Sequence, residues 1–258
     1  MNGFTSSGRQ IITYDYAGHG HSEGEVATSI KAMATHVAAF LRELLPSLNI
    51  PHIDILGFSI GGFVAQQLTL DAPELVNNLI LAGTGPSAGP DLERPQAEVQ
   101  SACMSDPPNP AAVSLAFFPA LVASEGEAWL GRIFSSRAEI AGNDGEPAFQ
   151  GFLGLPGMAK LVQAYLGWDA DPLPYAMLQT IQKNVLVTAG QNDLIVPTRN
   201  SWVLAHQLPR AHYVQFACSG HGHLFQYAKQ YVKLVNEFLD GEWPVVVSAG
   251  PSVANQGL

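Results

Sequence analysis

Ser59 is the residue of this chain best placed by its neighbours for covalent chemistry. It stands in Gly57-Phe58-Ser59-Ile60-Gly61-Gly62, between a run that reads as a strand (53–57) and one that reads as a helix (61–70). A serine at the apex of a sharp strand-to-helix turn needs a strained backbone with positive φ. Its neighbours two residues to either side must then be nearly free of side chain. Gly57 and Gly61 meet that demand, and Gly62 lets the helix come close to the sheet. The helix N-terminus turns its unpaired N–H groups and partial positive charge toward the same point. A tight turn holding an inert serine is the plainer reading, and the strand-before, helix-after context favours the nucleophile.

A hydroxyl attacks a carbonyl only when a base removes its proton, and the base needs an orienting carboxylate. Gly190-Gln191-Asn192-Asp193-Leu194-Ile195-Val196-Pro197 places Asp193 just past a second predicted strand, 184–190. Ser219-Gly220-His221-Gly222-His223 follows a third, 212–217. In a parallel sheet both loops fall on the edge where Ser59 lies. Asp193 could instead cap the helix that follows it closely. His223 opens the final helix and could cap or pack there, whereas His221, inside the flexible 220–222 loop, is favoured as the base. The His-x-His pairs at His19/His21 and His221/His223 have no third acidic or histidine ligand nearby in sequence, so no metal is expected. Gly83-Thr84-Gly85 precedes prolines rather than a helix and lacks a full dinucleotide fingerprint, so it reads as a turn and no cofactor is expected.

The elements that must position these residues follow an α/β rhythm. Residues 10–16 form a β-branched and aromatic run that ends at the turn-rich 17–22. Ile30, Met33, Val37, Phe40, Leu41, Leu44 and Leu45 then recur at helical spacing up to Pro46, read as a stop. Strands at 53–57 and 78–83 flank the helix that begins at Gly61. Short apolar strands alternating with amphipathic helices predict a mostly parallel sheet covered on both faces. Between Pro86 and Pro110 six prolines break the pattern, leaving no regular helix or strand expected there. Residues 111–182 look helical but irregular, with aromatics at Phe117, Phe118, Trp129, Phe134, Phe149, Phe152, Tyr165 and Trp168. The rhythm resumes at 184–190, with a helix at 199–206, a strand at 212–217 and a helix at 224–239. The expected organisation is an α/β core of 1–85 and 183–243, a helical cap or lid of 86–182, and a C-terminal tail of 244–258.

The chain has 258 residues, 47% of them hydrophobic, enough for one large domain with a substantial core. Charged residues are 13%, about half the usual fraction of soluble domains, which excludes global disorder. Twelve basic against 22 acidic residues give a net charge of −10. That field repels phosphate backbones and anionic membranes, and no Lys/Arg cluster offsets it, so nucleic acid is not an expected partner. Two cysteines, Cys103 and Cys218, cannot build a disulfide framework or a zinc knuckle. There is no apolar run of membrane-spanning length and no signal-like apolar region in residues 1–10, so the expected compartment is the cytoplasm.

Taken together, the stretches 14–22, 57–62, 79–83, 190–197 and 220–222 resemble the α/β-hydrolase superfamily. In flavour the chain is similar to the small-molecule esterase and non-haem peroxidase-like branch. The likeness covers about 10–85 and 184–240 in the right order. It implies Ser59 as nucleophile, Asp193 as acid, His221 as base, the backbone N–H of Ile60 as one oxyanion donor, and 86–182 as a lid. It also implies that 15–22 is a structural turn. Members of that family normally begin with further strands and a His-Gly loop that donates the second oxyanion N–H. Only ten residues precede Ile11 here, so the expectation is either an N-terminally shortened version of a longer protein or another group completing the hole. A missing strand would leave a sheet edge open to association, which leaves room for a homo-oligomer.

The function this predicts is a serine hydrolase cleaving an ester or related acyl bond of a small, apolar substrate through an acyl-enzyme. The aromatic-rich insertion carries the apolar preference, although the same rings would also serve as packing between lid helices. Serine in place of aspartate at the elbow argues against dehalogenase and epoxide-hydrolase chemistry. Perhydrolysis, lactone opening and carbon–carbon bond hydrolysis on the same residues remain open. So does a catalytically impaired, ligand-binding relative.

Overall fold

The computed structural model describes residues 2–20, 22–95, 97–103, 110–119, 122–124, 126–131 and 154–244. Its centre is a sheet of four strands, β1 (Ile53–Phe58), β2 (Val76–Ala82), β3 (Val185–Gly190) and β4 (Ala211–Phe216). They pair in parallel in the order β1-β2-β3-β4. A parallel pair cannot close through a tight turn, so helices fill the connections. These include α3 (Ile60–Asp71) between β1 and β2 and α8 (Thr198–Gln207) between β3 and β4. Preceding β1 are α1 (Asn2–Thr5) and α2 (Ile30–Leu48). Between β2 and β3 lie α4 (Ala97–Cys103), α5 (Pro110–Phe117), α6 (Gly154–Ala170) and α7 (Pro172–Met177). After β4 come α9 (His223–Gln226) and α10 (Ala228–Leu239).

Alternation along the strands decides which helix covers which face. Leu79, Leu81, Val185 and Val187 point to one side, into a core with Ala65 of α3 and Leu204 and Ala205 of α8. Ile80, Ala82 and Leu186 point to the other, against Tyr231, Val235 and Phe238 of α10. A further core joins Met33, Val37 and Leu41 of α2 to Phe63, Val64 and Leu68 of α3 and to Trp168 of α6. The fold is an α/β sheet with helices on both faces.

Four expectations change. Residues 10–16 form no strand. Ile12 and Thr13 are separated from Ile53, Asp54 and Leu56 of β1 by cavities of about 280 and 570 Å³. With no strand within hydrogen-bonding reach, β propensity has nothing to act on. The segment is held by side chains instead, with the Tyr14 ring stacked on Phe40 at 5.2 Å and Arg9 bonded through Nε to Asn236 Oδ1 at 2.9 Å.

Pro46 does not stop α2, which runs to Leu48 and closes at Asn49 (φ 55°) with its N–H on the Leu45 and Pro46 carbonyls. A proline in the last turn removes one hydrogen bond without interrupting a ladder beyond it. The proline-rich stretch contains a helix after all. Prolines 95 and 107 bracket α4, and Pro110 opens α5, where a missing N–H costs nothing. The final predicted helix is two, broken at Tyr227 between α9 and α10. Phe134, Phe149, Phe152, His21 and the tail from 245 lie outside the described residues. Among the described residues no helix is long and apolar enough to cross a membrane.

Candidate active site

The C-terminal ends of the four strands bring the site residues to one edge. Ser59 follows β1 directly and has φ 54°, ψ −122°, a conformation that L-residues adopt only under constraint. The constraint is visible on both sides. Its N–H donates to the Ala82 carbonyl at 2.9 Å, and its own carbonyl accepts from the Gly62 N–H at 2.8 Å. A Cβ on Gly57 would lie 2.4 Å from the Gly61 carbonyl oxygen, and one on Gly62 would meet the Thr84 side chain at 2.5 Å. Those two positions need glycine. Gly61 does not on these grounds, since a Cβ there meets nothing nearer than Tyr16 Oη at 3.9 Å. The steric demand expected at Gly61 falls on Gly62, because it is Gly62 that faces Thr84 at the end of β2. Ile60 opens α3, so its N–H has no preceding turn to donate to and is directed out of the helix start beside Ser59.

Asp193 lies three residues beyond β3 and His221 five residues beyond β4. Their side chains meet, with His221 Nδ1 2.7 Å from Asp193 Oδ2 and both side chains almost wholly removed from solvent. The other carboxylate oxygen accepts from the Ile195 and Val196 N–H groups, each at 2.9 Å. Asp193 therefore uses both of its oxygens. It closes the local turn with one oxygen and holds the imidazole with the other. It does not cap α8, whose N-cap is Pro197. Among the described residues no hydrogen bond joins Ser59 to His221. Their link is the Phe58 ring, centred 4.8 Å from the His221 ring.

The loop that carries His221 is fixed from two directions. Asn192 N–H donates to the Ser219 carbonyl at 2.8 Å, tying it to the Asp193 loop. From the inserted segment, the Ala116 carbonyl accepts from His221 N–H at 3.2 Å and the Phe117 carbonyl from Gly222 N–H at 2.8 Å. Phe117 also sets its ring edge-on to the imidazole at 4.9 Å. Trp129 stacks on Phe117 at 4.7 Å and reaches Phe225 at 5.2 Å, while Phe225 meets Phe58 at 5.5 Å. Phe58, Phe117, Trp129 and Phe225 thus make an apolar wall around His221. The sequence marks Phe117 and Trp129 as aromatics of the insertion but links neither to the histidine, and no local pattern marks Phe58 or Phe225.

His223 is also buried, but it points away from the carboxylate, with Nε2 3.0 Å from Thr188 Oγ1. Burial first, and then the charge of neighbouring His221, pushes its pKa down to about 3. An imidazole that resists protonation this strongly and is aimed into the core is poorly suited to accept a proton from Ser59. His19 turns back on its own loop, its Nδ1 3.0 Å from the Ala17 carbonyl. Among the described residues no group of three or more His, Cys, Asp or Glu side chains is arranged to hold a metal.

A positive-φ serine after a strand, followed in chain order by a carboxylate and a histidine that meet at the same sheet edge, is an arrangement with known company. The model of the alpha/beta hydrolase fold family matches residues 1–226. The chain belongs to the alpha/beta hydrolase family. It is therefore a hydrolase, and its sequence relatives carry hydrolase names. It is 30% identical over 213 residues to a protein of Agrobacterium fabrum named as a carbamate hydrolase, RutD, covering 78% of this chain and 72% of that protein. It is 28% identical over 213 residues to the protein of that name from Pseudomonas savastanoi pv. phaseolicola, covering 82% and 76%. Among solved structures it is similar to an alpha/beta hydrolase fold protein from Chitinophaga pinensis, with TM-score 0.73 and 26% identity over 93% of this chain and 82% of that one. An enol-lactonase from Burkholderia xenovorans LB400 shares the fold, with TM-score 0.66 and 23% identity over 88% and 79%.

Proposed function

We propose that this hydrolase cleaves an ester or carbamate of a small apolar substrate through a covalent acyl-enzyme on Ser59. The observation that carries the reading is the buried His221–Asp193 hydrogen bond of 2.7 Å beside a serine held at φ 54°. With Nδ1 engaged by Asp193, the imidazole has Nε2 left for the serine proton. Ser59 Oγ attacks the carbonyl carbon as His221 takes that proton, and Asp193 stabilises the imidazolium that forms. The carbonyl oxygen gathers negative charge and is met by the Ile60 N–H at the positive end of α3. The tetrahedral species collapses, the leaving group departs with the proton from His221, and Ser59 is left acylated. Water, deprotonated by the same nitrogen, then attacks the acyl carbon and restores the serine. No metal or cofactor enters these steps.

Residues 86–182 act in this reading as the lid, with Phe117 and Trp129 forming the acyl-facing wall. The wall supports an apolar substrate, and the names of the RutD relatives support including carbamates beside esters.

The test is labelling of the purified chain with a fluorophosphonate, located by peptide mass spectrometry, with Ser59→Ala and His221→Ala as controls. One adduct on Ser59 that disappears in both variants is expected. Folded protein that takes no adduct would overturn the serine mechanism. A panel of aliphatic and aryl esters and carbamates then ranks the substrate class.

A further inference from the structure

Behind the His221 loop, three buried polar side chains form a group for which the proposed mechanism has no use. His223, Thr188 and Tyr231 come from three elements, the start of α9, the buried strand β3 and the first turn of α10. His223 and Thr188 are entirely inaccessible, and Tyr231 nearly so. His223 Nε2 lies 3.0 Å from Thr188 Oγ1, and Thr188 Oγ1 donates to Tyr231 Oη at 3.4 Å. With the threonine proton given to tyrosine, the imidazole must donate from Nε2. Phe216 and Tyr231 close around the ring at 5.4 and 5.8 Å.

An apolar side chain would fill such a pocket without needing a partner, so the polar choice calls for a reason. Thr188 lies two residues before the end of β3, the strand that leads into the Asp193 loop, and His223 lies two residues after His221. Their hydrogen bond therefore ties the strand bearing the acid to the loop bearing the base. We infer that His223 is a positioning residue, whose hydrogen bond to Thr188 sets the height of His221 against Asp193. The inference rests on the reading of His221 as the base. The titratable groups around the pair, among the described residues, are His221, whose charge opposes protonation of His223, and Tyr231, whose hydroxyl burial pushes well above its ordinary range.

Two pairs of variants test this. His223→Gln keeps a neutral donor near the Nε2 position and His223→Leu removes it. Thr188→Ser keeps the hydroxyl and Thr188→Val removes it. The rate of Ser59 labelling is followed from acid to neutral pH, with thermal melting of each variant and the downfield proton resonance of the His221–Asp193 hydrogen bond. In His223→Leu and Thr188→Val the rate should fall about 10²-fold, the cost of a displacement near 1 Å at a reacting group. Its acid limb should move to lower pH, because an imidazolium no longer held against Asp193 is less stabilised, and the resonance should vanish. Glutamine and serine should restore all three.

Loss of rate with the acid limb and resonance unmoved would show a packing defect and overturn the inference. So would wild-type behaviour in Thr188→Val, which remains informative even where His223→Leu fails to fold. If the wild-type chain takes no label, the serine mechanism has failed by itself. The resonance in the four variants then still decides whether His223 holds His221 to Asp193.

Discussion

The main-chain N–H of His221 donates to the carbonyl of Ala116 at 3.2 Å, so the loop holding the proposed base is bonded to the end of α5, far from it in sequence. This contact needs two neighbouring glycines. A Cβ on Gly220 would lie 2.9 Å from both the Ala116 and Phe117 carbonyl oxygens, and one on Gly222 would lie 3.0 Å from the Phe117 oxygen. Gly220→Ala and Gly222→Ala should therefore separate α5 from the loop. The expected result is a fall in Ser59 labelling rate of about 10- to 100-fold with the sheet intact, checked by labelling kinetics beside circular dichroism.

Asp193→Asn preserves shape and removes charge. An amide places either a donor or a weaker acceptor opposite His221 Nδ1, and the imidazole loses the carboxylate that stabilises its protonated form. Turnover should drop by about 10³- to 10⁴-fold while KM changes little, since Asp193 is buried beneath the base. Steady-state kinetics on whichever ester the panel ranks first would measure this.

Ser59 holds a backbone conformation that glycine adopts without strain. Ser59→Gly should abolish labelling and raise stability by about 1 kcal/mol, whereas Ser59→Ala keeps the Cβ and should gain little. Urea denaturation of the three proteins would show the difference.

His223 gives acid stability a definite sign. Its folded-state pKa is pushed down to about 3 from an ordinary 6.5, chiefly by burial. Between those values the unfolded chain binds a proton that the folded chain refuses, so stability falls as pH drops from 6.5 toward 3 and is complete above 6.5. At pH 5 the loss from this one group is about 2 kcal/mol relative to neutral pH. His223→Gln should lose less stability than the wild type over that range. Equal slopes for the two proteins between pH 7 and 4.5 would contradict the assignment.

Much of the architecture could be read from local pattern. Strands predicted at 53–57, 78–83, 184–190 and 212–217 appear within two residues as β1 to β4, because each is a short apolar run bounded by turn residues. The order Ser59, Asp193, His221 was also readable, since a parallel sheet sends every strand end to one edge. What misled was local propensity without its partner. Ile11 and Ile12 carry β preference, but a strand is a pairwise object and no neighbour lies within reach. Prolines misled at α2 and α5 because their cost depends on which hydrogen bond is removed, and helix ends have some to spare.

The site divides in the same way. Sequence by itself determined that a serine would stand in a strained strand-to-helix turn, because glycine spacing around so sharp a turn is a local steric requirement. It narrowed the base to two histidines two residues apart, and the sequence around them could only favour one. Only the tertiary structure decided that His221 meets Asp193 while His223 turns inward to Thr188. It alone brought Phe117 and Trp129 from the insertion onto the imidazole. Those choices depend on distances between residues tens to a hundred positions apart, which packing of the sheet sets and no local pattern encodes.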